Sequence, residues 1–600
     1  MQRLLLTFPT VVVLLASVAF CLGGHCAGWQ WWVAAAIAIV SGFWRRPARE
    51  GVRTGLIFLA WMAVVWIGCG LAVASNWFDE SAYHIPAVRM LADGWNPLYV
   101  RTPESVLRFA GLAVGDCRID HIVFLPKIVW VFDAVAFHFT GDIFNPMEPV
   151  LWFLFPAVSL HVWRAMEGAH VAWKILSVPF LYCLQFNSAY VIDSVVALSA
   201  IGLFLSFEEA LSGKRVDILS LAVYSFWMMG AKTTGLAHGM LFWAVFLLFA
   251  FWRKGVAKQI LKRIAVAISL IFLMLVVACA SPFLTSAIDY GHPLYPQYTF
   301  DDGRSPAREM AYEFAASENN DAAQMGYVGR YVNAFVSPSL ARTWYRWRLD
   351  KPTFSPESAV WRHYPTDGDG TSPTRPGVRI AFWFSTLLLL FAARPSFRPI
   401  ALMVLLGIGS VPPRMLGYIR YIPWWLAPTL LLYVDSVRRQ DRLRQVLAFM
   451  LVSGVFLLRP YTLFARLVHV ARLVDDRSKL TALLDIRAKL PPIRPCDPMF
   501  AGQLKFMRRH VPEIGNAELR PFSPVLAEKF RRDGVELPGR LFVFDDMDEM
   551  RRHASFIPMG KLNCVKHLVR VFALTVPRLV AGRIGSAFGA SSWKEVVNVQ

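Results

Sequence analysis

The chain has 600 residues, 56% of them hydrophobic and only 17% charged, with a mean hydropathy of +0.43. These values exclude a water-soluble globular protein of this length and make a bilayer its main solvent. The formal charge of +20 does not point to nucleic acid, because Lys and Arg stand in short clusters between apolar runs, a pattern that orients membrane helices.

The apolar runs are continuous and do not alternate, so they predict membrane helices of roughly 20 residues each and not a barrel. Eight cysteines are scattered without a CxxC pair or a metal-like Cys/His spacing, which supports neither a zinc site nor a redox motif. Cys496 and Cys564 would suit one disulfide if their region is extracytoplasmic. The amino terminus has the charged start and apolar stretch of a signal peptide, but Phe20 before Cys21 fits a lipoprotein cleavage site poorly, so it reads as a first transmembrane helix. The GAKTTG run at 230–235 lacks the spacing of a phosphate loop, and a free nucleotide donor is not expected.

In chain order, spans are expected at about 4–22 and 29–44, followed by the four arginines of RRPAREGVR at 45–53, which mark a cytoplasmic loop. The next span, 54–74, then exits outward, so residues 76–99 face the extracytoplasmic side. Residues 120–140 are apolar but interrupted by Lys127, Asp133 and His138; read as an interfacial helix, they keep every later basic cluster inside. Further spans follow at 149–164, 173–191, 194–210, 218–232, 236–252 and 264–281, then a polar outward loop at 282–377. The last four lie at 378–393, 399–413, 415–434 and 445–459. The expected architecture is therefore an all-α polytopic membrane protein of about thirteen transmembrane helices, residues 1–459, with a large first extracytoplasmic loop at 75–148. Residues 460–600 are less apolar; helical periodicity and a strand-like run at Leu541–Phe544 predict a small α/β appendage outside the membrane, against which Arg459, Arg466 and Arg472 argue mildly.

Several polar residues interrupt this pattern. The first outward loop opens with Asp79 and Glu80, continues through Tyr83, His84 and Arg89, and closes on a Gly-Trp-Asn-Pro-Leu-Tyr turn at 94–99. Adjacent acids suit proton abstraction, and equally the positive end of a helix. Asp193 opens a span and reads as a helix cap or a functional acid. Lys232 lies near an outward end, where it either snorkels or serves a ligand. Arg414 and Arg420 violate positive-inside placement, which an anionic ligand would explain. The DDMDE run at 545–549 is rich in carboxylates but has no calcium-loop pattern.

The first loop resembles that of the GT-C superfamily of membrane glycosyltransferases, which includes protein O-mannosyltransferases and the lipid A aminoarabinose transferase. The positions that carry the resemblance are Asp79, Glu80, Tyr83, Gly94, Asn96, Pro97 and Tyr99. SAYVIDSVVAL at 188–198, with Asp193, is similar to the family's second outward loop. GHPLYP at 291–296 resembles its Gly-Asn-Pro-x-Tyr-Pro element, with His292 in place of Asn and with Tyr295 retained. Lys232, and Arg420-Tyr421 followed by Pro423, resemble its Lys-Tyr-x-Gly and Arg-Tyr-x-x-Pro elements, Thr233 departing from the first.

The resemblance covers the membrane part to about residue 434 and not the tail. It implies an inverting glycosyltransferase of the inner (plasma) membrane, using a polyprenyl-phosphate-linked sugar on the extracytoplasmic side. Asp79 would be the base, with Glu80 as its alternative. Substrate would be bound by Tyr83, His84, Asp193, Lys232, His292, Tyr295, Arg414, Arg420 and Tyr421. A divalent cation, Mg or Mn, is an option at Asp79 and Asp193; no other cofactor is implied, and oligomeric state is left open. The other readings are a transporter or lipid-linked glycan flippase, whose charges would line a pathway, and a glycan polymerase or ligase of another membrane fold.

Overall fold

The computed structural model describes residues 1–43, 47–69, 83–111, 119–140, 149–184, 192–213, 217–252, 258–293, 376–391, 394–410, 424, 427–439, 442–458, 571–577 and 579–581. Among these the regular structure is helical, with no strand. The strand expected at Leu541–Phe544, the DDMDE run, Cys496 and Cys564 lie outside the described residues.

The first helices are α1 (Gln2–Cys21), α2 (Gly28–Phe43) and α3 (Ala48–Cys69). Four short ones follow: α4 (Ile85–Ala92), α5 (Pro103–Ala110), α6 (Ile119–Phe124) and α7 (Ile128–Thr140). Then come α8 (Leu151–Ala165), α9 (Val171–Leu184), α10 (Ile192–Leu211), α11 (Ile218–Ala231), α12 (Thr233–Trp252) and α13 (Lys258–Ala278). A π-helical turn, Ala280–Leu284, leads into α14 (Thr285–Tyr290). The last are α15 (Pro376–Phe391), α16 (Arg398–Gly409), α17 (Ala427–Arg438) and α18 (Arg442–Leu458), with a π-helical segment at Val571–Thr575.

Each expected apolar span falls at least in part on a helix, α1–α3, α8–α13 or α15–α18, because in an apolar run the backbone groups have no better partner than the helical one; Pro9, Pro156 and Pro179 are accommodated inside α1, α8 and α9. Five are long and apolar enough to cross a membrane by length and composition: α1, α3, α10, α12 and α13. The described helix at 54–74 starts earlier, at Ala48, because Glu50 favours its first turn. The one at 264–281 likewise begins at Lys258.

Helix α10 is the centre, buried over nearly its whole length by α8, α11, α12 and the ends of α16 and α17. Gly202 makes its approach to α11 possible, since a Cβ there would lie 2.5 Å from the Tyr224 ring. Close helix approach at small residues is how membrane helices gain packing where lipid supplies no hydrophobic drive. In contrast, α13 leaves Phe272, Leu273 and Val276 exposed, an apolar face suited to lipid.

Between α3 and α8 the chain folds back on the bundle. Helix α5 is fixed by a capping box, Thr102 and Ser105 each accepting from the other's backbone N–H. Helix α7, which covers most of the stretch expected at the interface, is packed inside the protein. Ile128 to Ala136 are all buried, because α4 covers the helix and α1, α2 and α3 take its other sides. Its beginning borders Ser17 and Phe20 of α1, while His138 near its end packs beside Gly28, so both ends meet the same end of the α1–α2 hairpin. Phe132, at its middle, packs on Trp31 and Phe153 at 5.7 and 5.8 Å.

Candidate functional site

The resemblance turn at 94–99 is built as a clasp on α1. Asn96 donates through Nδ2 to the carbonyls of Phe20 at 3.0 Å and Gly24 at 2.8 Å, and its Oδ1 accepts from the Leu98 N–H. Tyr99 adds a bond to the Cys21 carbonyl at 3.3 Å. A helix ends with carbonyls that have no intrahelical donor, and here the loop between α4 and α5 supplies donors to them. Trp95 is buried in the same turn, its indole N–H donating to Val100 O at 2.7 Å.

Tyr83 and His84 stand just before α4, and both are buried. Trp130 of α7 donates its indole N–H to His84 Nδ1 at 2.7 Å. An Nδ1 that accepts carries no proton, so a neutral His84 holds its hydrogen on Nε2. Tyr83 lies between the rings of His84 and His121, at 4.3 and 5.0 Å. Lys127, at the bend between α6 and α7, is almost wholly buried and donates to the carbonyls of Val123 at 2.7 Å and Leu125 at 3.1 Å. That caps the end of α6. Burial among apolar groups pulls its ammonium down to about 7.

Asp193 and Lys232 meet although 39 residues separate them: Lys232 Nζ donates to Asp193 Oδ1 at 2.6 Å. Asp193 sits in the first turn of α10, where the positive helix pole favours a carboxylate. Lys232 is the single extended residue, φ −151° and ψ 145°, between α11 and α12. Gly235 permits that corner, because a Cβ there would fall 2.1 Å from the Met228 carbonyl. The side chains are 9% and 20% exposed, so the pair is close to solvent but not in it.

These groups share one end of the bundle. Gly230, two residues before Lys232, packs on Ile128 of α7, and Trp130, two residues further along α7, holds His84. Arg101 of the first loop pairs with Asp289 of α14 at 2.9 Å, which brings the start of the GHPLYP segment, with His292, to the same loop. Phe124 of α6 also packs on Tyr290 at 5.5 Å.

Of the expected site residues, the structure thus joins Asp193 to Lys232 and sets Tyr83 beside His84; His292 follows α14. Asp79, Glu80, Tyr295, Arg414, Arg420 and Tyr421 lie outside the described residues. Among the described residues no group of three or more His, Cys, Asp or Glu side chains could hold a metal ion. His121, Trp130 and the Arg101–Asp289 pair were not singled out from the sequence. Lys127 was visible there as a charge inside an apolar run, the one signal of its burial. No family model, curated protein or solved structure matches the chain.

Proposed function

We propose that the chain is a membrane glycosyltransferase of GT-C type, moving a sugar from a polyprenyl-phosphate donor to an acceptor hydroxyl at the extracytoplasmic face, with about thirteen crossings and the active site in the first loop. The observation that carries this reading is the Asp193–Lys232 ion pair, which meets at the bundle end to which the first loop is clasped. Ionisable groups inside an apolar bundle are costly and mark functional sites by default.

In the reaction, the acceptor oxygen attacks the anomeric carbon, the bond from that carbon to the phosphate oxygen breaks, and polyprenyl phosphate leaves. The acceptor's proton passes to Asp79, with Glu80 as the alternative base. Lys232, Arg414 and Arg420 stabilise the departing phosphate, and Asp193 holds Lys232 in place until the anion arrives.

The test is release of polyprenyl phosphate from a labelled donor by purified protein. The wild type should release it, and Asp79→Asn should insert normally, bind donor and turn over about 10²- to 10⁴-fold more slowly. Donor moved across a vesicle membrane without release would instead establish a flippase. Cysteine placed at Arg101 should react with an impermeant reagent in intact cells; protection there would overturn the outward placement of the loop.

A further inference from the structure

Lys127 caps α6, and it also lines a cleft. The cleft lies where the ends of α1 and α13 meet the start of α7 and the turn at Pro97 and Leu98, with Ala280 and Ser281 of the π-helical turn on its far side. It encloses about 250 Å³, its open mouth included. Phe20, Leu98, Val131 and Val277 give it an apolar wall, and its polar members are Lys127, Ser17 and Ser281. An ammonium beside a hydrocarbon wall matches an anionic head that carries an apolar chain.

The surroundings fix where such a chain could run. Gly230 of α11 packs both on Ile128, the residue after Lys127, and on Cys279, the residue after the wall residue Ala278. The cleft therefore adjoins the corner between α11 and α12 that carries Lys232, two residues beyond Gly230. On its other side α13 supplies Val277 to the wall, while the neighbouring Val276 is 52% exposed and Leu273 and Phe272 extend that exposed face along the helix. One helix thus borders both the cleft and the lipid. Across the mouth, Arg101 pairs with Asp289 at 2.9 Å, tying the loop after Leu98 to the helix after Ser281.

We propose that this cleft holds the phosphate of the polyprenyl carrier, with Lys127 as its cation and the first isoprene units passing over Val277 to the exposed face of α13. The inference rests on the proposed sugar transfer and adds to it a phosphate-binding residue and a path of entry from the bilayer. Hydrogen bonds from an ammonium to phosphate are about twice as strong as neutral ones. Free phosphate would gain nothing from the apolar wall, and a neutral prenol nothing from Lys127. A narrow cleft favours the single chain of a prenyl phosphate over the paired chains of a diacyl lipid.

The experiment uses the full-length protein in detergent micelles and farnesyl phosphate with a photoreactive diazirine on its terminal isoprene unit, the labelled residues being read by mass spectrometry. Labels should fall on α13 at Leu273, Val276 or Val277, and polyprenyl phosphate should compete them away, while farnesol, inorganic phosphate and phosphatidic acid should not. Lys127→Met should lower labelling about tenfold, the scale of one charge-assisted hydrogen bond. Because that change also uncaps α6, Ala280→Leu is the second variant: it fills the cleft, leaves Lys127 in place, and should lower labelling as well. Labels away from α13 on the wild type would overturn the proposal, as would competition by farnesol or phosphatidic acid equal to that by polyprenyl phosphate. Wild-type labelling of a folded Lys127→Met protein would overturn it too. The two readings fail separately. Sugar transfer that persists at the wild-type rate in Lys127→Met, with labelling unchanged, sinks the cleft alone; a cleft that labels as expected in a protein that releases no polyprenyl phosphate from a sugar-loaded donor stands as a lipid-phosphate site and sinks the transfer.

Discussion

Two buried carboxylates, at opposite ends of the molecule, are neutralised in different ways. Asp193 is met by Lys232, which reaches it at 2.6 Å on a flexible four-carbon stem. Asp435 is surrounded by three arginines on three different segments. A lysine is a compact charge on a mobile arm, whereas arginines give planar, multidentate contacts. The first arrangement joins α10 to the α11–α12 corner through one contact; the second fastens α17, α18 and the turn before α16 together. One end of the bundle is thus held by a single lysine contact and the other fixed by several arginines.

The largest effect should come from breaking the fixed end. Asp435→Ala leaves three guanidinium groups converging on a buried position and should destabilise by about 3 kcal/mol or more, since removing one partner of a buried pair strands the other charge. The measurement is the unfolding midpoint in detergent, with loss of folded yield as the extreme outcome. An unfolding midpoint equal to wild type would show that the arginines have enough water to do without the carboxylate.

At the other end, Lys232→Met strands Asp193 and should cost about 3 kcal/mol, while the double variant Asp193→Leu/Lys232→Met should recover most of that, because an apolar pair can replace a buried ion pair without loss. Donor turnover should remain abolished in the double variant. Recovery of stability without activity separates a functional pair from a structural one; recovery of both would assign the pair no part in transfer.

Gly235→Ala sharpens the comparison by moving Lys232 without changing its chemistry. A Cβ placed 2.1 Å from the Met228 carbonyl forces the α11–α12 corner apart, and overpacking of this kind costs about 1–3 kcal/mol. Activity should fall together with stability. The same substitution at Gly409, where a Cβ meets nothing within 4 Å, is the matched control and should leave both unchanged.

The smallest effect is expected from Trp130→Phe, which keeps the ring and removes the 2.7 Å bond to His84. A neutral hydrogen bond is worth about 1 kcal/mol. Freed from Trp130, His84 can take either tautomer, so a change in turnover larger than the change in stability would place Nε2–H of His84 at the substrate.

The helices were legible because their signal is local. An apolar run such as Ile192–Leu211 needs no knowledge of its neighbours to read as a helix, and the basic clusters order such runs. Asp193 and Lys232 were each visible as charges in apolar surroundings, but their meeting depends on α10 and α11 packing through Gly202, which the spacing does not state. The clasp of Asn96 on α1 was hidden for the same reason: the residues fit a turn, and the turn's partners are 72 and 76 residues away. The burial of α7 was not legible, because Lys127 interrupts the apolar run, whereas in the fold it turns back onto its own chain's carbonyls. Asp435 was not singled out from the sequence, because its partners Arg394, Arg439 and Arg444 come from three separate segments.

The burial of α10 also bears on how the protein is made. Of the five helices long and apolar enough to cross a membrane, it has the lowest mean hydropathy, and 94% of it is shielded by other helices. Its ends carry Asp193 and Glu208, both buried. A helix of this kind is a poor passenger in bare lipid, where acids near the hydrocarbon are penalised. It is best released into the bilayer together with α11, whose Tyr224 fills the space left by Gly202. Lys232 then arrives at the end of α11 just in time to neutralise Asp193. The two helices thus form a hairpin closed at one end by an ion pair and along its length by the Gly202–Tyr224 contact.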